Sequence, residues 1–552
     1  MATSTLTADG SGIDKSHRQV IFASSLGTVF EWYDFYLYGS LAPIITKQFF
    51  SAVNETTGLI LALLAFAAGF FVRPFGALLF GRLGDMAGRK HTFLITIVIM
   101  GLSTALVGVL PSYASAGLFA PLALVALRLL QGLALGGEYG GAATYVGEHA
   151  PQGKRGRYTS WIQTTATMGL FLSLVVILVC RNWLGAEFDT WGWRIPFLVS
   201  IVLLAISVYI RMQLAESPVF LEMKAGGTVS KAPLTESFAR WDNLKVVILA
   251  LLGATAGQAV VWYCGQFYAL LFLTQTLKVD AVTANTLVAL ALLLATPFFL
   301  VFGALSDKIG RKPIVLAGCL LAAVTYIPIF QGLTHYANPA IESASQHAPV
   351  TVVADPAACS FQFDPVGKKK FVQSCDVAKA ALAKAGVPYR NEAAAIGSIA
   401  QVRIGDAPPI ASVEGGPMTG ADFKAASEAF SKSLGGALKG AGYPAKADPA
   451  QINKFMVWLL LFVLVLYVTM VYGPIAAWLI ELFPARIRYS SMSLPYHIGN
   501  GWFGGFVPAV AFALVALKGD IYYGLRYPII VALMTVVIGL LFLPETKDRQ
   551  VR

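Results

Sequence analysis

Apolar residues run in long, nearly unbroken stretches near 20–48, 57–80, 92–110, 117–141, 159–180 and 194–212, and again near 245–273, 283–304, 313–333, 454–479, 489–516 and 522–543. Each is about 20 residues or more, the length a helix needs to cross ~30 Å of hydrocarbon at 1.5 Å per residue. A membrane β-barrel would show short alternating strands instead. The pattern predicts an all-α integral membrane protein with twelve helices in two groups of six. Polar stretches divide the chain into an N-terminal tail (1–19), a six-helix bundle (20–212), a linker (213–244), helices 7–9 of the second bundle (245–333), an insert (334–453), helices 10–12 (454–543) and a C-terminal tail (544–552). No short apolar stretch with a small-residue cleavage site follows the first polar residues, so the first helix is expected to be its own insertion signal.

Composition sharpens this. Of the 552 residues, 56% are hydrophobic and 13% charged, about half the charge of a soluble domain, and the mean hydropathy is +0.66. The net charge of +11 matters through its placement. Every second connection is basic: Arg82, Arg89 and Lys90; Lys154, Arg155 and Arg157; Lys308, Arg311 and Lys312; Arg486 and Arg488. The positive-inside tendency therefore predicts a multi-pass plasma-membrane protein with both termini cytoplasmic and the 334–453 insert on the periplasmic or extracellular side. Split among short loops, these clusters make a poor nucleic-acid surface, and no nucleic-acid partner is expected.

The insert holds 11 Lys+Arg and 10 Asp+Glu and is long enough for a small domain. Segments 376–385 and 421–434 suggest helices, 350–353 and 401–404 strands. Ala, Gly, Ser and Pro dominate, so the core would be thin, and a partly disordered loop is the alternative. Cys359 and Cys375 can close a loop there worth about 3 kcal/mol in the chain-entropy model. Cys180, Cys264 and Cys319 fall in apolar runs and read as packing residues. Neither metal nor cofactor is expected.

The segment GRLGDMAGRK (81–90) after the second helix returns as GALSDKIGRK (303–312) after the eighth, at an offset of 222 residues. Gly81, Asp85, Gly88, Arg89 and Lys90 match Gly303, Asp307, Gly310, Arg311 and Lys312. Small residues permit close approach and tight turns. An Asp here can accept hydrogen bonds from a helix N-terminus or pair with an Arg. Two similar basic turns without a gating role would be the plainer account. The pair resembles the loop motif of the major facilitator superfamily, as do Arg128 and Gly132 in RLLQG, Glu216-Ser217-Pro218 and Pro544-Glu545-Thr546. EWYDFYLYG (31–39), FFVRPFGALLFGRLGD (70–85), RLLQGLALGGEYGGA (128–142), ESPVF (216–220) and SLPYHIGNGWFGGFVP (493–508) are similar to the metabolite:proton symporter family. That resemblance covers the membrane part and leaves the insert outside. It implies uptake of a small metabolite with a proton by alternating access, energised by the proton gradient, in a functional monomer. Members carry organic acids such as citrate, 2-oxoglutarate and shikimate, or zwitterions such as proline and betaine.

Ionisable residues at mid-membrane are expensive, so each is a functional candidate. Glu31 and Asp34 share a helix face, with Tyr38 one turn on. Arg128 lies at a matching depth and can pair with either, or hold a substrate carboxylate. Arg73 either lines the same cavity or snorkels towards the cytoplasm. Glu138 is either an inner proton relay or part of a network with Arg155 or Arg157. Gly132, Gly136, Gly137, Gly140 and Gly141 form GxxxG spacings suited to tight packing or to a sliding contact. Gln163, Tyr263, Gln266 and His497 are candidate substrate ligands, and Trp161, Trp262 and Trp502 either line the cavity or pack. The resemblance implies the proton coupling and the buried arginines tilt the solute towards an anion, so the expectation is a proton-coupled importer of a small organic acid built on helices 1, 2, 4, 5, 7 and 11. A betaine-type importer is the alternative within transport, and a sensor using the insert the alternative outside it. No GxSxG, HExxH or phosphate-cradling GK[ST] loop is present, so no enzyme is expected.

Overall fold

A computed structural model describes residues 15–51, 55–362 and 371–550, with side chains outside 15–26, 55–68 and 166. Twelve long helical segments follow the apolar runs: helix 1 (Lys15–Phe49), helix 2 (Glu55–Ala87), helix 3 (Arg89–Val109), helix 4 (Phe119–His149), helix 5 (Arg155–Asp189), helix 6 (Arg194–Met212), helix 7 (Trp241–Thr276), helix 8 (Ala281–Ile309), helix 9 (Arg311–Ala337), helix 10 (Lys454–Leu482), helix 11 (Ala485–Lys518) and helix 12 (Tyr523–Phe542). Helices 3 to 12 are long and apolar enough to cross a membrane among the described residues. Helix 1 begins at Lys15, inside the segment expected as a tail, whose first fourteen residues lie outside the described set. Two short helices, Pro218–Ala225 and Pro233–Phe238, occupy the linker.

Packing within the first half depends on glycine. A Cβ on Gly136 would fall on the backbone of Arg73 and Ala77, and one on Gly132 on Gly69, so helices 2 and 4 cross backbone to backbone. Gly140 and Gly141 do something different. They face Ser493 and Tyr489 of helix 11, across the boundary between the halves. The glycine stripe thus serves packing within the first half at one end and the contact between the halves at the other.

Helices 7 and 11 are not regular. Wider π-type turns occur at Leu251–Thr255, Tyr263–Tyr268 and Phe272–Thr276, and at Gly499–Gly504. Such turns cost regular hydrogen bonding and gather at functional sites. Tyr263 and Asn500 lie in two of these turns and line a central cavity.

The described residues of the insert build a small four-stranded sheet with helices packed against it. Strand β1 (Val350–Ala354) pairs in parallel with β2 (Tyr389–Ala393) through the crossover helix Ser374–Ala385, as parallel strands require. Strand β1 also pairs antiparallel with β3 (Gln401–Ile404), and β4 (Ile410–Ala411) completes the order β2-β1-β3-β4. The two expected strands and two expected helices are present; β2, β4 and the helix Pro339–His347 are additional. Helix Gly420–Gly440 supplies Phe430, Leu434 and Leu438 to a core with Val352, Leu382, Val402 and Ile404, so enough apolar surface is buried to hold the sheet. Cys359 and Cys375 form a disulfide.

Candidate functional site

Three Arg–carboxylate pairs cross the first half inside the apolar helices. Arg73 Nη1 donates to Glu31 Oε1 at 3.3 Å, each side chain 13% exposed. Arg128 Nη1 donates to Asp34 Oδ2 at 2.8 Å and to Gln131 Oε1 at 2.8 Å, with its guanidinium 3.7 Å from the centre of the Tyr38 ring. Arg211 Nη2 donates to Glu138 Oε1 at 2.5 Å, and Thr96 Oγ1 to Glu138 Oε2 at 2.8 Å. Charge buried in pairs avoids the cost of a lone ion in a low dielectric. Only the Glu31–Arg73 pair and its neighbour Asp34–Arg128 line the central space. Arg73 Nε has no hydrogen-bond partner among the described residues.

The space itself is closed. One cavity of about 20 Å³ is lined by Glu31, Arg73, Gln163, Tyr263, Tyr472 and Asn500 with aromatic neighbours, and a second of about 20 Å³ by Glu31, Asp34, Arg73, Arg128 and Gln131. Each has room for about one water-sized guest, so a solute requires the walls to part. Aromatic rings join the halves around it. Tyr139 stacks on Tyr496 at 3.7 Å, Trp32 meets Trp262 at 4.9 Å, and Phe35 meets Phe267 at 5.5 Å. The second half contributes neutral hydrogen bonders. Tyr472 donates to Asn500 Oδ1 at 3.0 Å, and Gln258 and Asn500 exchange amide hydrogen bonds at 3.2 and 3.3 Å.

At the end bearing the basic turns, each half locks the other by the same device. Asp85 accepts from the backbone N–H of Tyr489 and Ser490 at 3.2 and 2.9 Å, the first turn of helix 11, and pairs with Arg89. Asp307 accepts from Gly156 and Arg157 at 2.8 and 2.9 Å, the first turn of helix 5, and pairs with Arg311. A carboxylate at a helix N-terminus is stabilised by unpaired N–H groups and the helix dipole. Glu216 accepts from Arg89 and Lys90 N–H, and Glu545 from Arg311 and Lys312 N–H. The turns are possible because Gly88 and Gly310 hold φ of +118° and +114°, where a Cβ is strained. Glu148 bridges Arg89 and Arg488, and Glu481 bridges Arg311 and Arg155.

Several expectations need correction. Glu138 pairs with Arg211, not Arg155 or Arg157, which are engaged with Glu481 and Asp307. Arg73 does not snorkel; it is held by Glu31. Tyr38, Gln266 and His497 are buried but do not line either central cavity. Trp262 lines it, whereas Trp161 packs partly buried and Trp502 is 37% exposed. Helix 10 joins the expected set through Tyr472. Tyr139, Tyr472, Tyr496 and Asn500 were not anticipated. Only Asn500 carried a signal, as an amide inside an apolar run.

The description "Sugar (and other) transporter" fits residues 20–234 and 434–552. A putative metabolite transport protein of Haemophilus influenzae is 30% identical over 540 residues, covering 97% of this chain and 95% of its own. The chain is a transporter of the major facilitator superfamily. The alpha-ketoglutarate permease of Escherichia coli is 35% identical over 345 residues, 61% of this chain and 78% of its own. The proline/betaine transporter of that organism is 35% identical over 331 residues, 57% and 65%. Among solved structures, the proton:xylose symporter XylE bound to 6-bromo-6-deoxy-D-glucose shares the fold, at 17% identity and TM-score 0.59 over 97% of this chain and 98% of its own.

Proposed function

We propose that this transporter imports a small carboxylate-bearing solute with a proton, by alternating access of two six-helix halves. The carrying observation is the Glu31–Arg73 pair on the cavity wall. While Glu31 is ionised it satisfies Arg73. Once Glu31 takes a proton, the guanidinium is left with a vacant fork that a substrate carboxylate fills in bidentate fashion. A protonated Glu31 without substrate leaves a lone buried cation, which costs several kcal/mol. A proton therefore stays when an anion accompanies it, which is coupling without a separate gate. Asp34–Arg128, directly behind, offers a second exchangeable pair. The basic turns then face the cytoplasm with both termini, the insert faces the opposite side, and the monomer suffices because the site lies within one chain. No cofactor is needed, because the proton gradient supplies the driving force.

The aromatic lining favours a second reading. Trp32, Phe35, Phe70, Trp262 and Tyr263 surround the pair and would suit the quaternary ammonium of a betaine. Uptake into proteoliposomes under an imposed pH gradient, screening labelled acids and betaines, decides between them. Protonophore-sensitive accumulation of an acid supports the first reading, and of a betaine alone the second. Accumulation that ignores the protonophore removes proton coupling.

A further inference from the structure

Away from the central cavity, a groove of about 610 Å³ separates the insert from the membrane helices. Its walls include Gln331 of helix 9, Glu342, Arg390 at the start of β2, Tyr443, and Asp520 and Tyr522 of the turn between helices 11 and 12. The central cavities draw on helices 1, 2, 4, 5, 7, 10 and 11, so this groove lies off the transport path. Its depth is set by helix 9. Gln331 stands twenty residues beyond Arg311 on one continuous helix, about 30 Å along the axis, one hydrocarbon thickness. The groove is thus at headgroup level, on the side opposite the basic turns.

Two further features describe an occupant. Val324 and Ile327, 64% and 39% exposed, share the face of Gln331, so a lipid-facing apolar stripe leads directly into the groove. Within it the charges have both signs. The exposed side chain of Arg390 has no ion-pair or hydrogen-bond partner among the described residues. Among the described residues the Glu342 carboxylate meets only the exposed His335, at 3.0 Å, and the Asp520 carboxylate only the N–H of Tyr522, at 2.9 Å. We propose that this groove binds the headgroup of a phospholipid carrying a phosphate and a primary ammonium, the ethanolamine type, from the leaflet on the insert's side. The phosphate meets Arg390 and the ammonium donates to Glu342 and Asp520. A choline headgroup has no N–H to donate, and a glycerol headgroup brings no cation to the two carboxylates.

The full-length transporter in detergent, given equal amounts of phosphatidylethanolamine, phosphatidylcholine and phosphatidylglycerol, is examined by native mass spectrometry. Retention of ethanolamine lipid about tenfold stronger than of either competitor is expected, falling about tenfold in Arg390→Gln, as loss of one charge-assisted contact implies. Glu342→Gln should erase the preference over the glycerol lipid. Thermal unfolding of both variants checks that they are folded. Equal retention of all three lipids, or unchanged retention in both variants, overturns the proposal. Glycerophosphoethanolamine, the same headgroup without acyl chains, should compete poorly; competition as strong as the lipid's overturns the lipid assignment in favour of a soluble zwitterion.

Discussion

Glu31 and Glu138 are both buried carboxylates paired with arginine, yet their surroundings give them different work. Glu31 borders a cavity, whereas Glu138 lines neither central cavity and is sealed by Arg211, Thr96 and the Phe93 ring, over which the guanidinium lies at 3.4 Å. Glu31→Gln should therefore keep solute binding and exchange but lose uphill accumulation, and an unchanged proton requirement would remove Glu31 as the carrier. Glu138→Gln strands Arg211 and should lower stability by about 3–5 kcal/mol, seen as a reduced unfolding temperature. The double change with Arg211→Met should recover most of it. In the insert, backbone N–H groups of Gly397 and Ala357 hold the Asp355 carboxyl below its ordinary value. A carboxyl whose folded pKa is lowered contributes stability above its unfolded value, about 3.9, and loses it as pH falls through the folded one. The acid unfolding of the insert should thus shift to a higher pH in Asp355→Ala, read by proteolysis across an acid series.

At the scale of elements, the contact between the halves at the basic-turn end is made of helix ends. Asp85 caps helix 11, which belongs to the other half. Asp85→Asn should slow turnover more than it weakens binding, and equal losses of both would count against a latch. Within the insert, the crossover helix Ser374–Ala385 is tied by the Cys359–Cys375 bond to the turn that follows β1. Cys359→Ser with Cys375→Ser should cost about 3 kcal/mol for a loop of this length, with earlier protease cleavage between residues 359 and 375. Much of this was legible beforehand. The repeat, the two aspartates and the two cysteines stand at fixed spacing in the chain. Arg211 and Glu148 were not legible, because Arg211 closes an apolar run like any snorkelling arginine and Glu148 sits in an ordinary helix end.

Across the whole molecule, the charged pairs that line the central cavities lie in the first half and the insert rests on the second. Tyr389 N–H donates to Gly519 O at 2.9 Å, Lys379 Nζ to Leu517 O, Lys278 Nζ to Lys384 O and Ala447 N–H to Lys278 O, all contacts with the outer ends of helices 7 and 11. The insert should travel with that half. Spin labels at residues 396 and 522 should keep one distance in the presence and absence of solute, while labels at 396 and 183 change theirs. What the chain alone determined is the set of local properties: apolar length, the alternation of basic turns, the internal repeat and the presence of rare charges in apolar runs. Each is written within a few turns of helix, where hydropathy and spacing act directly. Only the tertiary structure decided which charge meets which. Arg128 and Asp34 are 94 residues apart, Arg211 and Glu138 are 73, and Arg488 and Glu148 are 340. Such pairings follow from where helices cross and which face each turns inward, and several helices present an arginine at similar depth. The central site is therefore a property of the assembled halves, made of pairs that no single helix contains.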